Sequence, residues 1–203
     1  MQTNEKRRSG LSTRMIAEAG VMIALAKVLS FIKLFEMPMG GSVTLASMAP
    51  ILIFALRWGW KRGVIVGAVY GVLDFILGGY IVHPLQALLD YPIAYAMLGF
   101  AGLAQIKDSE GWDGLLHFIP ASVLAVLLRL AMHVLSGCIF YSSIDFEAGG
   151  TLGQALTWSN LSGGFAYSLG YNGSFLGADF LICLVILALL WKPLGRMLQR
   201  QKG

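Results

Sequence analysis

The sequence predicts an all-α integral membrane protein of six transmembrane helices with both termini in the cytoplasm. Three observations carry that prediction. Of the 203 residues, 57% are hydrophobic and only 13% charged, with a mean hydropathy of +0.71, whereas a soluble domain carries about 25% charged residues. Apolar runs near the roughly 20 residues that a span requires recur along the chain. Lys and Arg collect at alternate junctions between those runs, as a positive-inside orientation demands. The composition argues against a cytosolic enzyme and against intrinsic disorder, which needs low hydrophobicity and high net charge.

The chain reads as one membrane domain over 1–203: a basic cytoplasmic N-terminus (1–14), a six-helix bundle (15–191) and a basic cytoplasmic tail (192–203). The first span, about 15–35, follows Lys6, Arg7, Arg8 and Arg14. It is too long for a signal-peptide core and lacks a cleavage pattern, so it is an uncleaved helix. The loop 36–43 holds Pro38, Gly40 and Gly41, which break regular structure. A shorter second span, about 44–56, ends at Arg57, and Lys61 and Arg62 lead into the third, about 63–79. The fourth, about 84–104, meets a polar stretch with Lys107; the fifth runs over about 115–141. The polar, Gly-rich segment 142–164 holds Asp145 and Glu147 but no Lys or Arg. The sixth span, about 165–191, precedes Lys192, Arg196, Arg200 and Lys202. With six spans these basic groups share one side and Lys33 alone lies near the other, which makes the basic side cytoplasmic. The net charge of +4 then reflects topology. No aromatic-interleaved basic patch points to nucleic acid.

Several chemistries find no motif. There is no GxxxxGK[ST] phosphate loop, HExxH or GxSxG, so ATP hydrolysis by a P-loop has no place here. Cys138 and Cys183 lie inside spans without CxxC spacing, and His83, His117 and His133 lack ligand spacing. No disulfide, metal or cofactor is predicted. No fixed-period repeat stands out. The glycosylation triplets at Asn160 and Asn172 are common by chance, and the second opens a span. The pattern favours binding or moving a molecule over transforming it.

Ionisable residues inside spans are costly and face a bundle interior or a watery cavity. Here they are Lys27, Asp74, Asp90, Arg129, His133 and Asp179. Lys27, Asp74 and Asp179 have no polar company in their own helices, so a structural pair or a snorkelling position is the ordinary reading. Span five differs. Arg129, His133, Gly137 and Tyr141 recur every fourth residue and stack on one helical face. A purely structural stripe does not need a cation, an imidazole, a gap and a ring together. Asp90 and Tyr91 lie in span four behind Tyr80 and the His83–Pro84 break. Asp90 needs a partner in a low-dielectric bundle, and Arg129 is the obvious candidate. A closed ion pair and a carboxylate left open to a ligand's amine or ring nitrogen both fit the sequence. Tyr167 and Asn172 bring a hydroxyl and an amide to the outer end of span six, where Tyr171 also suits an aromatic belt. Aromatic faces with a few polar groups suit a flat, partly cationic heterocycle. The loop near Pro38–Ser42 and the segment after Tyr141 are placed to close over it.

Four segments together resemble the thiamine-specific substrate-binding subunit (ThiT type) of the energy-coupling factor transporters. They are 37–43 (MPMGGSV), 86–91 (QALLDY), 129–141 (RLAMHVLSGCIFY) and 166–173 (AYSLGYNG). The resemblance covers nearly the whole chain. It implies a six-helix subunit of the bacterial cell membrane that binds thiamine from outside with high affinity. It further implies docking on an ECF transmembrane coupling subunit driven by two ATPase subunits, and inward release by toppling in the bilayer. By the same resemblance Asp90 contacts the aminopyrimidine, His133 and Tyr141 pack rings on the ligand, and Tyr80, Tyr91, Tyr167 and Asn172 complete the pocket. Arg129 takes a basic position, and Gly137 leaves room for the ligand. Gly20 and Ala24 resemble the small-xxx-small docking motif of the first helix, with internal packing as the alternative. Asp90 stands where glutamate is expected, Tyr141 where tryptophan is, and Arg129 where lysine is familiar. The rivals are the same architecture binding a thiamine precursor or another small vitamin, an intramembrane enzyme using His133 and Asp90, and a scaffold.

Overall fold

A computed structural model describes residues 12–104, 112–141 and 149–199. Lys6, Arg7, Arg8, Lys107, Asp145, Glu147, Arg200 and Lys202, which entered the topology argument, lie outside the described residues. Helix dominates, as expected for an all-α membrane protein. Its elements are α1 (Thr13–Ser30), β1 (Lys33–Glu36), β2 (Ser42–Thr44), α2 (Ala49–Trp58), α3 (Trp60–Ile76), α4 (Pro84–Leu88), α5 (Ala94–Met97), α6 (Trp112–Phe140), α7 (Leu152–Ala155) and α8 (Trp158–Gln199). Three stretches among them are long and apolar enough to cross a bilayer: Pro84–Ala104, Gly114–Phe140 and Trp158–Gly195. The others fall short for identifiable reasons. The helix α1 carries Arg14, Glu18 and Lys27, and α2 has only 10 residues, roughly 15 Å of helix. Yet α2 is buried on nearly every face, from Ala49 through Leu56, and a helix apolar all round belongs in the centre of a bundle.

The first helix ends at Ser30, five residues before the expected boundary, because 33–36 pairs antiparallel with 42–44. The turn between the strands is built by Pro38 and by Gly40 at φ +92°, with the Met37 amide donating to the Gly41 carbonyl at 2.7 Å. The residues expected to break structure thus make a hairpin. At the other end Gly59 adopts φ +86° and reverses the chain between α2 and α3. There Glu18 accepts from Arg14, Arg57 and the Trp58 indole, fastening α1 to the basic turn.

The stretch Pro84–Ala104 matches the predicted fourth span, but it is not uniform helix. Leu89–Ile93 forms a π-helical turn around Pro92, and Leu98–Ala104 tightens to a 3-10 helix. Proline has no N–H and its ring collides with the carbonyl four residues earlier, and a wider turn accommodates both defects. Against this stretch lies α3, close enough that a Cβ on Gly63 would sit 2.9 Å from the Gly99 Cα. On Gly67 it would sit 2.9 Å from the Tyr95 carbonyl carbon, and on Gly71 2.7 Å from the Pro92 Cα. Glycine is what allows the two backbones to meet. The last helix has 42 residues and begins at Trp158, seven before the predicted start, so the end of the Gly-rich segment is helical rather than loop.

Candidate ligand-binding site

At the hairpin end, the C-terminal turns of α1 and α3, the π turn, α6, α8 and the hairpin surround a cavity of about 260 Å3. All nine residues singled out for ligand contact line it: Tyr80, Asp90, Tyr91, Arg129, His133, Gly137, Tyr141, Tyr167 and Asn172. Tyr80 and Tyr167 are exposed at its mouth, whereas Arg129, His133 and Asn172 are buried.

Asp90 is the hub. Its Oδ1 lies 3.0 Å from His133 Nδ1, and its Oδ2 accepts from Gln86 Nε2 at 2.7 Å and from Ser136 Oγ at 2.9 Å. Arg129 Nε donates to His133 Nε2 at 3.4 Å. A guanidinium can only donate, so Nε2 is the acceptor and Nδ1 donates its hydrogen to Asp90. The expected Asp90–Arg129 pair is therefore replaced by a chain in which His133 stands between them. Position 129 is one turn below 133 on the same helix face, so the imidazole meets the carboxylate first. The Arg129 guanidinium stacks 4.0 Å over the Tyr95 ring, and its buried Nη1 has no hydrogen-bond partner among the described residues.

The three ionisable residues read as structural have partners within the protein and also border the cavity. Lys27 Nζ meets Asp74 at 2.7 Å, and Asp74 accepts from the Tyr95 hydroxyl at 3.1 Å. Asp179 accepts from the amide and hydroxyl of Thr44 at 2.8 and 2.7 Å, binding β2 to α8. Tyr171 accepts from the Gly41 amide at 3.1 Å and donates to the Pro38 carbonyl. Its hydroxyl pins the hairpin turn over the cavity, so this residue is more than an aromatic-belt member. Of the other suggested cover, the segment after Tyr141, residues 142–148 lie outside the described residues, and its later part forms α7 and the start of α8.

Gly137, expected to leave room for a ligand, lines the cavity and also meets α8: the Ser168 hydroxyl fills the space beside its Cα, and a Cβ there would lie 2.8 Å from the Ser168 Cβ. Ser168 Oγ donates to the Val134 carbonyl at 3.1 Å, and Asn172 Nδ2 donates to the Ser168 carbonyl at 2.9 Å. The gap serves close packing of α6 on α8.

Gln86, Ser136 and Tyr95 are left out of the sequence reading, which sets Tyr171 against an aromatic-belt role. Gln86 lies one helical turn before Asp90, and Ser136 three residues after His133. Starting from ionisable groups and rings inside spans passes over the neutral partners Gln86 and Ser136. Gly20 and Ala24 are exposed on α1, and a Cβ on Gly20 would find nothing within 4 Å. Internal packing does not account for them.

The model of the family described as Thiamine transporter protein (Thia_YuaJ) matches residues 16–199. The chain is 32% identical to "Thiamine transporter ThiT" of Bacillus subtilis (strain 168), over 93% of this chain and 95% of that protein. It is 26% identical to "Thiamine transporter ThiT" of Lacticaseibacillus paracasei, over 64% of this chain and 69% of that protein. A solved structure of ThiT from Listeria monocytogenes superposes with a TM-score of 0.71 at 23% identity. It spans 91% of this chain and 97% of that one, which shows a shared fold. With its long apolar helices, the protein is a multi-pass component of the bacterial cell membrane, a transport protein and not an enzyme. A match that runs through all the helices around the cavity establishes that the chain belongs to the thiamine transporter protein family.

Proposed function

We propose that this chain is the high-affinity thiamine-binding specificity subunit of an energy-coupling factor importer. It has six spans and cytoplasmic termini, and it takes thiamine from outside. It then docks through Gly20 and Ala24 on a transmembrane coupling subunit driven by two ATPase subunits, and releases the vitamin inward. The missing phosphate-binding loop suits that division of labour.

The observation that carries the reading is the convergence of Asp90, Arg129, His133 and six tyrosines on one small cavity. Its volume of about 260 Å3 is near the lower end of ligand pockets, roughly 300–1,000 Å3, so it suits one small vitamin and not a peptide. Thiamine joins an aminopyrimidine to a cationic thiazolium. The Asp90 carboxylate accepts from the amine, and Arg129 holds His133 in place beside it. The faces of Tyr141 and His133 pack on the ring system, where an aromatic face attracts the cation.

Calorimetric titration of the purified subunit tests this. Thiamine should bind tightly and stoichiometrically. Asp90→Asn should weaken it by about 1.5–3 kcal/mol, the worth of a hydrogen bond to a charged group, or roughly ten- to a hundredfold in Kd. Thermal stability should change much less. Tighter binding of the pyrimidine precursor than of thiamine, or equal thiamine affinity in the two proteins, would overturn the assignment.

A further inference from the structure

The Asp90 carboxylate offers about four lone-pair positions for hydrogen bonds. Gln86 Nε2 and Ser136 Oγ occupy both on Oδ2, and His133 occupies one on Oδ1. Among the described residues one acceptor position remains, on Oδ1. Both groups on Oδ2 are sequestered: Gln86 is 2% exposed and Ser136 fully buried. Nor is the Gln86 amide free to flip. Its Oε1 accepts from the Val82 amide at 3.0 Å, and its Nε2 also approaches the Tyr80 carbonyl at 3.4 Å. The oxygen must therefore face the loop before α4, and the nitrogen must face Asp90.

We infer that Gln86, assisted by Ser136, is a positioning residue for ligand recognition: it saturates Oδ2 of Asp90 and aims the single open acceptor of Oδ1 at the ligand's amine. This rests on the proposed thiamine reading and deepens it. Gln86 borders the cavity but is almost wholly buried, and it acts through Asp90. The same amide holds the backbone around Tyr80, so the carboxylate and the tyrosine at the cavity mouth are set by one side chain.

The test compares two probes, thiamine and an analogue whose pyrimidine amine is replaced by hydrogen. Gln86→Met keeps the length of the side chain and removes its donors. It should weaken thiamine about tenfold more than the analogue, as loss of one oriented hydrogen bond to a charged group would, because the loop contacts at Val82 and Tyr80 that it also removes serve both probes alike. Ser136→Ala removes only the second donor on Oδ2 and leaves the loop contacts intact. It should show the same discrimination, a few-fold in size, and it serves if Gln86→Met does not fold. Equal losses for both probes in the folded variants would mean a purely structural role and overturn the inference. If the unsubstituted protein failed to bind thiamine, the underlying reading would fall with it.

Discussion

Two helices carry small residues four positions apart, and the structure treats them oppositely. On α3, Gly63, Gly67 and Gly71 press against the backbone of 91–99, where a Cβ would collide with carbonyl and Cα atoms. On α1, Gly20 and Ala24 are exposed, and a Cβ on Gly20 meets nothing. The spacing is the same because both stripes exploit the stacking of i and i+4 positions. The difference lies in the partner. The α3 stripe has found its partner inside the chain, and it holds against α3 the helical stretch that carries Asp90 and Tyr91. The α1 stripe has none among the described residues, which makes it available to another subunit. Small-residue spacing thus identifies a close-approach surface without saying whether the approach is internal.

The sharpest way to break the comparison is one methyl group. Alanine is the better helix former by about 0.8–1 kcal/mol, so propensity alone would make Gly67→Ala stabilising. Its Cβ, however, would lie against the Tyr95 carbonyl and 3.1 Å from the Ala96 Cα. Backbone cannot rotate away as a side chain can, so the helices must separate, and overpacking of this kind costs roughly 1–3 kcal/mol or more. The clash wins. Thermal unfolding of Gly67→Ala should fall clearly below that of the parent protein, with thiamine affinity falling too as Asp90 is displaced. An unchanged unfolding temperature would show that the two backbones are not in contact.

Much of this was legible in the sequence. Hydropathy located Pro84–Ala104 at both ends, and the four-residue period of Arg129, His133, Gly137 and Tyr141 put those residues beside one cavity. Charge and ring chemistry were visible because residue type announces them. What was hidden depended on pairing between distant segments. The hairpin needs 33–36 to meet 42–44, and its strands are too short for alternation to declare itself. The π turn follows from Pro92 inside an otherwise helical run, where hydropathy is blind. The interposition of His133 between Asp90 and Arg129 requires knowing the rotation of α6 against the π turn. The glycines of α3 were readable in principle, since 63, 67 and 71 repeat at helical spacing, but only long periods and the first helix drew attention.

A milder substitution separates two meanings of Gly137. A methyl group there would push aside the Ser168 hydroxyl and strain its bond to Val134. The obstacle is a side chain, so the cost should be about 1–2 kcal/mol, below that of a backbone collision. For Gly137→Ala we expect a moderate loss of stability accompanied by a several-fold loss of thiamine affinity, because Asn172 and the His133 backbone lean on the same contact. Lost affinity with full stability would return Gly137 to the role of making room for the ligand.

The smallest effect on the isolated subunit is expected at Gly20, even for a large replacement. Gly20→Leu places its side chain on a face shared with Ala17, Val21 and Ala24, all exposed, where it meets none of the described residues. Leucine is also a far better helix former than glycine, by roughly 0.6–0.8 kcal/mol. Unfolding temperature and thiamine affinity of the purified subunit should therefore match or slightly exceed those of the parent. Thiamine uptake through the assembled transporter should nevertheless collapse, because a four-carbon side chain holds apart the helices that the small residues would allow to touch. The contrast with Gly67 is then complete: one glycine fails within the chain, the other only in the presence of a partner. Undiminished uptake by Gly20→Leu would show that the open stripe faces lipid throughout the transport cycle, and the docking surface would have to be sought on another helix.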